Sequence, residues 1–369
     1  MNYTTLTPTQ IKETENALSE VVAAAHLLTS EPMKKHTTFR VGGEAALFAA
    51  PDEKELPEVL RILSARGIRP LVIGNGSNLL VSDEGIPGVV IKLGDELSAI
   101  TVDEESGTIT AQAGARLGAV ARKAAEASLA GMEFASGIPG SIGGAVMMNA
   151  GAYGGEMKDI ITAVNFIPAG NLPAASGNAG HRGENTEHHE GNTEHRAEDT
   201  EHRAKTAGRR AEDTTMPGTY DTEGLSLHTA RADALSFSYR HSIFMEMDVV
   251  ITSVVLQLER GDPEAISAKM KELNARRIEK QPLEYPSAGS TFKRPEGYFA
   301  GKLIEDAGLR GYRVGGAAVS QKHCGFVVND RNATAQDVYD VIRHVQREVK
   351  KQFGVTLEPE VRLIGTFRE

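Results

Sequence analysis

One cysteine, Cys324, in 369 residues excludes an intrachain disulfide. Basic charge is in short supply, with 40 Lys+Arg against 50 Asp+Glu and a formal charge of −10. That balance argues against nucleic-acid binding by neutralisation of phosphates along a broad basic face, so any anionic ligand must be met by a local cluster of cations. Apolar runs are also short. Segments such as 21–28 and 249–258 fall well below the ~20 residues of a membrane helix, and the N-terminus has neither a basic nor an apolar leader region. The expectation is a soluble, cytoplasmic chain with no membrane insertion. Tryptophan is missing and aromatics make up 5%, whereas the 38 glycines suit a backbone that needs positive φ or lies close to a ligand. A hydrophobic fraction of 40% supports a real core, and at about 150 residues per domain two or three domains are expected.

Helical spacing of Ile11, Leu18, Val21, Val22, Ala25 and Leu28 behind Thr9 predicts an opening amphipathic helix. A strand near 46–49, a helix over 52–65 closed by Gly67, and a strand over 70–73 follow in β-α-β order. Strands are predicted at 100–102 and 108–113, then a helix over 117–128. Beyond these, 225–228 and 249–258 read as strands flanking a Ser-Tyr-Arg-His-Ser-Ile stretch. Asp262 with Pro263 starts a helix that stops before Pro282. Thr334 with Asp337 starts another, which Gly354 closes. A final strand is predicted over 357–364. The organisation expected is three units, 1–97, 98–261 and 262–369.

Between about 169 and 219 the composition turns to Gly, Asn, Thr, Glu, His and Arg, and Thr-Glu-His recurs at 186, 193 and 200. Seven is the coiled-coil period, but no apolar a and d positions accompany it. The segment cannot offset its ordering entropy by burial, so it reads as a disordered insertion. Its five histidines leave a weak metal-binding tract as the alternative; no metal site is expected elsewhere.

Two glycine-rich stretches could carry ligand chemistry. Gly74-Asn75-Gly76-Ser77-Asn78 follows a strand pattern and is either a backbone nest for phosphate or an ordinary tight turn. It is neither a Walker loop nor a Rossmann fingerprint. The second, 136–154, includes Gly137, Ile138, Pro139, Gly140, Gly143, Gly144, Ala145 and Asn149, and would let backbone lie flat against a planar or pyrophosphate-bearing ligand. Arg240, expected inside strand-like sequence, offers a fork suited to carboxylate or remains a surface cation. Ser290 follows Gly289 on a turn without a hydrolase elbow. Glu360 and Arg362 share one face by the strand period of two, and could equally be a surface ion pair.

In chain order, Thr38-Phe39-Arg40-Val41-Gly42-Gly43, Gly74-Asn-Gly-Ser-Asn78, the 137–154 stretch, Tyr239-Arg240-x-Ser242, Ala288-Gly289-Ser290-x-Phe292, Ala300-Gly301-Lys302-Leu303-Ile304-Glu305 and Pro359-Glu360-Val361-Arg362 closely resemble the UDP-N-acetylenolpyruvoylglucosamine reductase family. The resemblance covers the chain apart from its first ~30 residues and the insertion. It implies an α+β protein: a two-part FAD-binding fold of the vanillyl-alcohol-oxidase (PCMH) type, followed by a C-terminal α+β substrate domain. FAD would be noncovalent, because the loop in which related flavoproteins often place a linking His has none here. NADPH would be the co-substrate and UDP-N-acetylglucosamine enolpyruvate the substrate, in peptidoglycan precursor synthesis, with the protein a monomer.

By the same resemblance, Arg240 stabilises the enolate-type charge, Glu360 assists, and Ser290 delivers the proton. The 74–78 loop and Gly137, Ile138, Pro139, Gly140, Gly143, Gly144, Ala145 and Asn149 hold the cofactor. Arg276 and Lys280 match positions near the substrate diphosphate, with Tyr239 and Arg362 as further contacts. Arg294 stands where some members have Asn.

Overall fold

The computed structural model describes residues 3–169 and 226–369; the predicted insertion lies almost wholly outside them. The first sheet has four strands in the order Leu27–Pro32, Glu44–Ala49, Ile86–Lys92, Leu71–Ile73. Its first pair is antiparallel and the others parallel. The helix Glu55–Ala65 buries Leu56, Val59, Leu60, Ile62 and Leu63, the apolar stripe that a 3.6-residue period places on one side. Gly67, at φ +64°, turns the chain out of it.

The second sheet is antiparallel, ordered His228–Arg231, Ile161–Pro168, Val249–Gln257, Thr108–Gln112, Ile100–Asp103. Helices Leu117–Glu126 and Ile142–Met147 share its core with Val120, Ile142, Val146, Val164 and Val254. The C-terminal region pairs Arg313–Val314, Ala317–Val319 and Val327–Asn329 as an antiparallel meander. Helix Ala335–Phe353 covers it, burying Val338, Val341, Ile342, Val345 and Val349. That helix has a Thr334–Asp337 capping box and a left-handed Gly354. Asp83, from the first region, accepts from the amides of Ala335 and Gln336 at 2.8 and 2.9 Å, adding negative charge at the helix N-terminus.

Four expectations are corrected. The opening helix is Pro8–Leu18, capped by Thr7 with Gln10 rather than by Thr9. It stops ten residues early because the chain must turn to feed Leu27–Pro32 into the first sheet. The strand expected at 225–228 is His228–Arg231, set by its ladder with Ile161–Pro168. Only Arg362–Ile364 of 357–364 is a strand; it pairs in parallel with Leu79–Val81, while Pro359 bridges Phe292. Arg240 sits in a turn at φ +56°, not in a strand.

Candidate active site

The two glycine-rich stretches meet. Asn75 donates its side-chain N–H to the carbonyl of Pro139 at 3.2 Å, and a Cβ added at Gly74 would sit 2.2 Å from the Ser141 hydroxyl. Gly76 adopts φ +59° and lies so close to the His36 carbonyl that a Cβ would be 1.9 Å from it. Only glycine allows both that conformation and that approach. Asn78 donates to the Glu360 carbonyl at 3.0 Å, and its own carbonyl accepts from the Arg362 amide at 3.0 Å. The first loop therefore touches both the second loop and the C-terminal segment that carries Glu360.

Within the second stretch the residues divide by role. Gly137, Ile138, Pro139 and Gly140 line an open cavity of about 530 Å³ together with Asn75, Arg116 and Asn274. Ser141 caps the helix Ile142–Met147 by accepting from the Gly144 amide. Gly143 is buried against Ala113, where a Cβ would stand 2.8 Å from the Ala113 methyl, and Ala145 is also in the core. Asn149 is fully buried, and its side chain is satisfied by protein. It donates to Glu156 at 3.0 Å and to the Ser238 carbonyl at 3.1 Å, and accepts from the Lys158 amide. Ser242 donates to the Met147 carbonyl at 3.0 Å. Asn149 and Ser242 thus fasten both ends of the turn that holds Arg240.

Arg240 donates from Nε to Oε1 of Glu360 at 2.6 Å, with both side chains mostly buried. Burial pushes the Glu360 carboxyl above its ordinary range, against the pull of Arg240 and Lys293. The backbone amide of Glu360 donates to the Thr291 carbonyl at 2.8 Å, which sets the Ser290 turn alongside it. Ser290 is exposed, and Gly289 before it has φ +77°. Arg240, Glu360 and Ser290 therefore come from three distant segments to one place.

Tyr239 and Arg294 are also brought together. The Tyr239 hydroxyl accepts from the Arg294 amide at 3.2 Å, and the Arg294 guanidinium stacks over Phe299 at 4.0 Å. Arg276 and Lys280 are exposed, and Arg276 pairs with Glu272 on its own helix. The helix Pro263–Lys280 turns the next residue inward instead: Arg277 is buried, donates to the Gly137 carbonyl and lies over the Tyr153 ring at 5.8 Å. The sequence signal for Arg277 is its spacing. With Ile266, Met270 and Leu273 it completes an i, i+4, i+7, i+11 stripe.

Arg362 carries a buried Nη2 without a hydrogen-bond partner, and burial lowers its pKa. An unpaired buried guanidinium N–H is costly unless a ligand meets it. Two glycine loops in contact, a backbone that the absence of side chains leaves open to close approach, and an unpartnered guanidinium nitrogen beside them fit an extended anionic dinucleotide such as FAD.

Residues 45–170 match the family model of the FAD binding domain, and residues 281–364 that of the UDP-N-acetylenolpyruvoylglucosamine reductase C-terminal domain. The UDP-N-acetylenolpyruvoylglucosamine reductase of Agathobacter rectalis is 48% identical over 361 residues, covering 95% of this chain and 98% of that protein. The enzyme of that name from Caldanaerobacter subterraneus is 42% identical, covering 94% and 97%. The chain belongs to the UDP-N-acetylenolpyruvoylglucosamine reductase family. A crystal structure from Thermus caldophilus bearing the family name superimposes with a TM-score of 0.65 at 31% identity, covering 92% of this chain and 98% of that one. As a member of the reductase family the chain is an FAD-containing oxidoreductase, built as a two-part flavin-binding fold followed by a C-terminal α+β region. No helix among the described residues is long and apolar enough to cross a membrane.

Proposed function

We propose that this protein reduces UDP-N-acetylglucosamine enolpyruvate to UDP-N-acetylmuramate with electrons from NADPH, acting as a cytoplasmic monomer in peptidoglycan precursor synthesis. The observation that carries this reading is the convergence of Arg240, Glu360 and the Ser290 turn beside the 74–78 loop. FAD, when bound, supplies hydride chemistry between NADPH and the methylene carbon of the enolpyruvyl group.

The protein's own residues manage charge and proton. Addition of hydride at the methylene carbon leaves negative charge on the carboxylated side, and Arg240 is the cation placed to stabilise it. Glu360 holds Arg240 through Nε and the Gly151 carbonyl accepts from Nη2 at 3.5 Å, which leaves Nη1 for the substrate carboxylate. Ser290 gives its hydroxyl proton to the carbon next to the carboxylate and recovers one from solvent, to which it is open. A serine hydroxyl is a weak acid, so this step depends on the basicity of the intermediate and on prior positioning. In this reading Tyr239 and Arg294 meet the nucleotide diphosphate, and the unpartnered Nη2 of Arg362 is left for whichever of the two diphosphates, cofactor or substrate, reaches it. Arg276 and Lys280, exposed on their helix, would complete that site from its rim.

The test is an anaerobic absorbance trace of the purified protein with NADPH added first and the enolpyruvyl substrate second. Bleaching of the flavin band and its return on substrate addition is the expected result. Return only with oxygen would mean an oxidase on the same fold, and a colourless protein would mean a nucleotide-sugar-binding protein without redox function.

A further inference from the structure

Lys92 closes the strand Ile86–Lys92, and its register partner is Ile73, the residue immediately before the 74–78 loop. Its Nζ lies 3.2 Å from Nδ1 of His36. The opposite ring nitrogen, Nε2, lies 2.9 Å from Oε1 of Glu31, and the imidazole is stacked on Phe48 at 4.2 Å. These contacts assign the tautomer. An ammonium only donates and a carboxylate only accepts, so Nδ1 must be the acceptor and Nε2 must carry hydrogen. The imidazole is therefore neutral, and burial, its largest influence, pushes His36 in that direction.

Glu31 is shared with Lys35 at 3.2 Å, so its charge is already answered. Among the described residues no carboxylate lies within ion-pair distance of Lys92, and the charges around it are Asp95, Arg116 and Glu31. Lys92 is half-buried, and two of its three N–H groups have no acceptor among the described residues. The relay also touches the loop, because the His36 carbonyl is the atom that forbids a side chain at Gly76. A half-buried cation with no carboxylate in ion-pair contact, at the foot of a glycine loop in a protein of net charge −10, is poised for an anionic ligand.

We infer that Lys92, oriented by the Glu31–His36 pair, is a further cofactor-binding cation that neutralises the diphosphate of the dinucleotide held by the 74–78 loop. The inference rests on the FAD reading and extends it to a residue outside both glycine stretches. The measurement is FAD affinity of the apoprotein by fluorescence quenching at low and high salt, with thermal melting of the apoprotein alongside. Lys92→Met should raise the Kd about tenfold or more and weaken its salt dependence. Apoprotein melting should stay unchanged, and Lys92→Arg should recover most of the affinity. An unchanged Kd in Lys92→Met overturns the inference, as does a loss that Lys92→Arg leaves unrestored while the apoprotein melts early. Failure of the wild-type protein to bind FAD would instead overturn the reading beneath it.

Discussion

Arg240 and Glu360, 120 residues apart in sequence, meet at 2.6 Å with both side chains mostly out of water. The carboxyl that holds the arginine is the one whose burial pushes its pKa up. A carboxyl raised in the folded state contributes stability below its ordinary pKa and loses it as pH rises through the raised value. The stability of the wild type relative to Glu360→Gln should therefore fall as pH increases from the acidic side. Thermal melts of both proteins across that range check this, and a difference independent of pH would contradict it.

Ser290 is exposed, and its turn is held to Glu360 only through the backbone of Thr291. Ser290→Ala should leave flavin reduction by NADPH nearly unchanged while slowing substrate-dependent reoxidation by about 10²-fold or more. Stopped-flow measurement of the two half-reactions separates these effects. Equal loss in both would assign the serine to structure.

Arg277 and Arg276 are neighbours with opposite surroundings. Arg277→Met removes the buried donor of the Gly137 carbonyl and should cost about 1–3 kcal/mol of stability, with weakened FAD binding. Arg276→Met removes an exposed partner of Glu272 and should change stability by about 0.5 kcal/mol or less. Urea melts and flavin titration of the two variants provide the comparison.

Phe166 and His228 are register partners in adjacent antiparallel strands, so the described ends flanking the histidine-rich segment lie side by side. Removing residues 171–218 leaves eight residues between Ala169 and Ser226, ample for a hairpin connection. Turnover should be unaffected by the deletion. A large fall in kcat would show that the segment takes part.

Some of this architecture is legible in sequence, and the reasons are local. The helices Pro263–Lys280 and Ala335–Phe353 run as their caps and apolar periods predict. The glycine stretches likewise announce close backbone approach, and Gly74 and Gly76 supply it. Arg240 is different. An arginine at positive φ leaves no mark in sequence, since Asn149 and Ser242 impose the turn from segments distant in the chain. The partner of Glu360 was equally hidden: strand alternation pointed to Arg362, but Pro359 and the pairing with Phe292 interrupt the strand and leave Glu360 to Arg240. His36 and Lys92 carry no motif, and their link arises because the short turn Met33–Lys35, which His36 caps, sets the imidazole against the end of the strand that Lys92 closes.

The strand Leu79–Val81 pairs only with Arg362–Ile364 among the described strands, and Asn78 before it bonds to Glu360, 282 residues later. On the ribosome, the segment following the first glycine loop must therefore wait for a partner some 282 residues later in the chain before its edge is closed. A chain broken off before Arg362 would leave that strand beside the first glycine loop without its partner, so synthesis that stops short is expected to show itself as a loss of colour.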